Sequence, residues 1–224
     1  MFRVDEWMSR LREQLLLTFN ERLIYIGLQG SYRRNEATDS SDIDVMVVLD
    51  YLSVDDLKIY KNIISNMNDS EKACGFICGA GELKSWPKHE IFLLVHETKD
   101  YYGNLKPLVP EISRENIKDF VKISIGNLYH EICHRYIYST IENNYKKLGN
   151  SYKSTFYILQ NLYYLNNNEF ISTKSELLMK LTGADKEILE TAMNWNKISN
   201  IDNIEFDRYF NLLFLWCNRT LQSM

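Results

Sequence analysis

Gly30-Ser31-Tyr32-Arg33-Arg34-Asn35-Glu36-Ala37-Thr38-Asp39-Ser40-Ser41-Asp42-Ile43-Asp44 is the stretch around which this 224-residue chain is organised. An apolar run, Leu23 to Leu28, leads into it, and a second, Ile43 to Leu49, leads out. Asp42 and Asp44 stand two residues apart, so on a strand their side chains leave the same face. Two adjacent carboxylates repel each other unless a cation lies between them, and hard divalent ions such as Mg2+ take oxygen ligands. Gly30 removes a side chain where backbone and ligand approach closely, and Ser31 offers both a hydroxyl and an N–H to a phosphate. The stretch reads as a place for a metal-bound triphosphate.

These residues, Gly30-Ser31 followed by Asp42-Ile43-Asp44, resemble the GS…DxD signature of the DNA polymerase beta-like nucleotidyltransferases, especially the small bacterial enzymes that adenylylate aminoglycosides and related antibiotics. The resemblance implies that the GS turn holds the triphosphate, that Asp42 and Asp44 bind two Mg2+ ions, for which Mn2+ is a substitute, and that a third carboxylate from a neighbouring strand completes the site. It also implies transfer of a nucleoside monophosphate, AMP from ATP in the first instance, to a hydroxyl of a small molecule, with release of pyrophosphate. A protein hydroxyl, as in the minimal transferases of toxin-antitoxin pairs, is the alternative acceptor.

Charge and composition narrow the partners. The chain is 45% hydrophobic and 25% charged, an ordinary globular balance. Its 26 basic against 30 acidic residues leave a formal charge of -4, which argues against a nucleic-acid partner and suits a cationic acceptor. No apolar run reaches the length of a membrane span, and the acids in MFRVDEWMSRL are unlike a signal peptide, so a cytoplasmic monomer or homodimer is expected. Cys74 and Cys78 would lie about 13 Å apart on a strand, too far to share a metal, and the four cysteines read as free thiols.

Outward from the central stretch, Trp7, Leu11, Leu15 and Phe19 recur at helical spacing over residues 5–20. Arg33 and Arg34 are placed to neutralise phosphate oxygens. Along Val45 to Leu49 both faces are apolar, and only the leading positions, Asp42 and Asp44, are polar, which predicts a buried strand whose first end opens into a cleft. Ser53 and Asp56 form a capping box for the next helix. Gly75 to Cys78 is a third short strand.

Glu90 opens the run E-I-F-L-L-V-H, whose alternation predicts a strand with Glu90, Phe92, Leu94 and His96 on one face. Beside Ile43 to Leu49, such a strand would bring Glu90 to Asp42 and Asp44 as the third acid and metal ligand; Glu97 is its rival. Residues 97–113, with Gly103, Pro107 and Pro110, read as a linker, giving a nucleotidyltransferase domain over 1–110 and a helical, acceptor-binding domain over 111–224. The expected fold is thus an α/β (α+β) domain, a mixed sheet with flanking helices, followed by a C-terminal helical bundle forming the other wall of the cleft.

In that second half one long helix is expected over 114–144, ended by Gly149 and Asn150, and another over 153–166. Asn127, Glu131 and His134 form a polar stripe at three- and four-residue spacing, a candidate acceptor surface. His130-Glu131-Ile132-Cys133-His134 also matches H-E-x-x-H, the pattern of a zinc peptidase, but no histidine follows to supply a third zinc ligand.

Overall fold

A computed structural model describes residues 2–198 and 203–224, and the chain divides into two compact units, Met1–Ile112 and Ser113–Met224. In the first, helix α1 (Val4–Phe19) precedes strand β1 (Leu23–Leu28) and a single helical turn, α2 (Gly30–Arg33). Strand β2 (Ile43–Leu49), helix α3 (Val54–Ser65), strand β3 (Ala73–Gly79), helices α4 (Ala80–Lys84) and α5 (Lys88–His96) and strand β4 (Lys99–Tyr102) follow. The sheet order is β3-β2-β1-β4; β1 is antiparallel to β2 and β4, and β2 is parallel to β3. It is a mixed sheet with flanking helices.

Burial explains why β2 is central. Its odd-numbered residues Ile43, Val45, Val47 and Leu49 pack with Trp7, Met8, Leu11, Leu15 and Phe19 of α1. Met46 and Val48 face the other way, into a smaller cluster with Tyr25, Cys78, Leu83 and Leu105. Both faces are therefore dry along the strand, as its apolar run foretold. Asp44 lies on the second face at the leading end, half-buried, and Asp42 lies just before it, exposed. Helix α3 starts at the predicted cap: Ser53 Oγ accepts from the Asp56 N–H at 3.2 Å, and the Ser53 N–H donates to Asp56 Oδ2 at 2.9 Å.

Two expectations for this unit are corrected. Glu90 to His96 is helical, not extended. Pro87, whose ring fixes φ, stands at the N-cap, and Ile91 and Phe92 bury one side of the resulting helix. A short, continuously apolar run suits a buried strand or a buried helix equally, so alternation alone misled. The place next to β2 is taken by β1 and β3. The second correction concerns the linker: Lys99–Tyr102 is a strand paired with β1, its exposed Lys99 and Asp100 being the charged residues expected on a sheet edge.

The second unit is helical: α6 (Arg114–Tyr138), α7 (Ile141–Asn167), α8 (Lys174–Lys180), α9 (Gly183–Asn194) and α10 (Asn203–Ser223). The expected long first helix is cut at Ser139–Thr140, where Thr140 caps α7 by accepting from the Asn143 N–H. Gly149 and Asn150 lie inside α7 rather than ending it. A Cβ at Gly149 would overlap the indole of Trp195, so this glycine serves close packing and not chain reversal. Among the described residues no helix is long and apolar enough to cross a membrane.

Candidate active site

The GS turn and the carboxylates are joined by backbone before any side chain is considered. The Gln29 N–H donates to the carbonyl of Asp44 at 2.8 Å, closing the β1–β2 ladder at the point where the chain leaves for α2. Gly30 begins that turn at a φ of 66°, in the left-handed region, and a Cβ there would overlap Asp44 Oδ2. Glycine is required twice over, by backbone conformation and by the carboxylate against it. Ser31 follows at once, and its carbonyl accepts from the Glu36 N–H at 2.9 Å, folding the loop back onto the turn.

Electrostatics at the leading end of β2 is that of two like charges held together. Burial, then repulsion from Asp42, raises the pKa of Asp44, while Arg34 and a hydrogen bond with Cys74 pull the other way. A divalent cation would relieve both unfavourable contributions at once. This donor set of two carboxylates fits Mg2+ or Mn2+.

The arginines differ from expectation and from each other. Arg34 is buried: its Nε donates to Glu36 Oε2 at 3.0 Å and its Nη1 to Glu97 Oε2 at 2.8 Å. It therefore ties the loop after α2 to the end of α5, and favours the ionised Asp44 through space rather than by reaching out to a phosphate. The reading of Arg34 as a direct nucleotide contact is corrected, because its donors are turned inward. Arg33 is half-buried and donates from Nη2 to the His96 carbonyl at 2.7 Å, so it too anchors the turn to α5. Gln29 does the same through Thr98, at 2.8 Å.

The third acid is not where the sequence put it. Glu90 lies on α5, exposed, and accepts from the indole N–H of Trp86 at 2.6 Å. Glu97 is engaged by Arg34. Among the described residues no three His, Cys, Asp or Glu side chains are gathered so as to hold a metal, so Glu90 does not join Asp42 and Asp44 as a ligand. What does stand beside Asp44 on the neighbouring strand is Cys74, paired with it in the parallel register of β2 and β3. Sequence reading missed this residue, since only the register of two strands separated by a helix brings it there.

In the helical unit, Asn127, Glu131 and His134 share an exposed face of α6, as their spacing predicts. Glu131 is paired with the buried Arg135, which in turn donates from Nη2 to Ser151 Oγ at 2.6 Å. The ring centroids of His130 and His134 are 6.1 Å apart. No third ligand is gathered with them among the described residues, and Glu131 is an ion-pair partner, so the zinc-peptidase pattern has no centre to serve.

Residues 9–75 match the family model described as the nucleotidyltransferase domain, a segment that contains most of α1, the GS turn, both aspartates and Cys74. No curated protein sequence matches the chain. Among solved structures, the fold is similar to that of the spectinomycin adenyltransferase AAD(9) from Enterococcus faecialis, crystallised with ATP and spectinomycin. That likeness has a TM-score of 0.61 at 16% identity and covers 97% of this chain and 98% of the other.

Proposed function

We propose, with the nucleotidyltransferase domain at residues 9–75 as premise, that this protein moves a nucleoside monophosphate from ATP to a hydroxyl of a small cationic acceptor. The observation that carries the proposal is the apposition of Gly30 and Asp44: a turn with no side chain, set against a carboxylate whose charge is opposed by burial and by Asp42. Asp42 and Asp44 would hold the metal, two ions being the family's pattern. When bound, Mg2+ neutralises phosphate charge and lowers the cost of making the acceptor oxygen nucleophilic.

The chain's own residues supply position. The Ser31 hydroxyl and N–H, beside Gly30, bind the β and γ phosphates, and the close backbone lets them sit against the carboxylate pair. Arg33 and Arg34 act by charge and by fixing the turn to α5. The acceptor oxygen then bonds to the α phosphorus as the bond to pyrophosphate breaks opposite it, and the hydroxyl proton is lost to solvent. No protein base beyond the pair is demanded by this chemistry.

The acceptor surface is proposed in the helical unit, at Asn127, Glu131 and His134. Acceptor class rests on the net charge of -4 and on the fold shared with a spectinomycin-modifying enzyme. Mass spectrometry of acceptors incubated with protein, Mg2+ and ATP tests it, with spectinomycin, aminoglycosides and lincosamides as the panel. A nucleotide adduct on one acceptor supports the reading; adducts on proteins alone would move the acceptor to a protein hydroxyl.

A further inference from the structure

The resemblance that implies a third carboxylate from a neighbouring strand meets, in this fold, a strand that offers a thiol. The β2–β3 register runs without a shift from Ile43↔Ala73 to Leu49↔Gly79, and it pairs Asp44 with Cys74. Packing agrees with the register. Ala73 and Ile77 join the cluster of Ile43, Val45 and Val47, whereas Phe76 and Cys78 join that of Met46 and Val48. Cys74, two residues before Phe76, therefore leaves the same face as Asp44, from a strand about 4.8 Å away.

Cys74 and Cys78 share a face but not an environment. Cys78 is buried under Leu83, while Cys74 is exposed at the leading edge. A hydrogen bond from the Cys74 side chain is among the influences that lower the Asp44 pKa, against the burial and the Asp42 charge that raise it. On its other side that carboxylate abuts Gly30, where even a Cβ would collide. Asp44 is thus bounded by the glycine turn on one side and by the thiol on the other.

We infer that Cys74 is a positioning residue for Asp44: its S–H donates to the carboxylate from the matched place on β3 and holds it in the orientation that meets the cation. The inference rests on the reading of Asp42 and Asp44 as metal ligands. Partners that orient a ligating carboxylate commonly change metal affinity 10- to 100-fold when removed. A thiol is a weak donor, so the low end, about 10-fold, is the expectation here.

The test is calorimetric titration of the full chain with Mn2+ alone, for wild type, Cys74→Ala and Cys74→Ser, with circular dichroism to establish that each variant folds. Cys74→Ala should bind Mn2+ about 10-fold more weakly, and Cys74→Ser, which keeps a donor of similar reach, should recover most of the loss. Unchanged affinity in Cys74→Ala overturns the inference, and so does a Cys74→Ser as weak as Cys74→Ala, because donation would then not be the role. A wild type that binds no Mn2+ overturns it together with the metal reading. Binding that depends on residue 74 in a protein that transfers no nucleotide upholds it and sinks the transfer reading alone.

Discussion

Gly30 leaves no room for a side chain beside Asp44, since a Cβ at Gly30 would overlap Asp44 Oδ2 while the backbone there stands at a φ of 66°. Gly30→Ala must therefore both strain the turn, at about 1–2 kcal/mol for a left-handed residue, and push the carboxylate away. The expected outcome is nucleotidyl transfer lowered by about 100-fold, the scale of losing one preorganised group at a reacting phosphate. Thermal denaturation beside a transfer assay checks both halves; a variant with lowered Tm and full activity would separate the turn from the chemistry.

Asp44→Asn removes a charge that the fold holds at a cost. The pKa of Asp44 is raised by burial and by Asp42, so above 3.8 the folded protein binds more protons at this site than the unfolded chain. Stability then falls as pH rises through the window between the two values. Without metal, Asp44→Asn should be more stable than wild type at neutral pH, and the difference should vanish towards pH 4. Added Mn2+ should stabilise the wild type and leave the variant unmoved. Melting curves with pH and metal varied decide this.

Arg34 and Glu97 are a buried pair, with side chains 5% and 7% exposed. Removing one member of such a pair leaves the other charge buried, at about 3–5 kcal/mol. Arg34→Met should lower stability on that scale, more than Arg34→Met combined with Glu97→Met. Denaturant unfolding of Arg34→Met, Glu97→Met and the double variant gives the coupling directly, and an additive double variant would deny the pair.

Ser53→Ala breaks the cap of α3 and should cost about 1 kcal/mol, or roughly 2–4 °C in Tm, with activity retained. The partner Asp56 is held well below the usual carboxylate range, first by Arg22 and then by Ser53. Its contribution is present above 3.8 and is lost as pH falls towards its folded value. The Ser53→Ala deficit should therefore shrink in acid, which melting at low pH would show.

Sequence made legible whatever depended on local pattern. The GS turn, the two aspartates, the alternation that buries β2 and the Ser53–Asp56 cap all follow from spacing within a few residues. Glu90 is not placed by its own run, because I-F-L-L-V carries no period that separates helix from strand. Arg34 was read as a phosphate contact because its partner Glu97 is sixty-three positions away. Cys74 was passed over for the same reason: its meaning lies in a strand register that spacing along the chain does not encode. Gly149 looked like a helix end because the indole it accommodates comes from Trp195, on a later element.

The most direct measurement is Mg2+-dependent pyrophosphate release with ATP and the acceptor panel, run beside Asp42→Asn and Asp44→Asn. The account predicts that at least one acceptor raises release in the wild type and that both variants fall by about 100-fold with that acceptor. Equal release by wild type and both variants, across every acceptor tried, would contradict it and remove Asp42 and Asp44 from the chemistry.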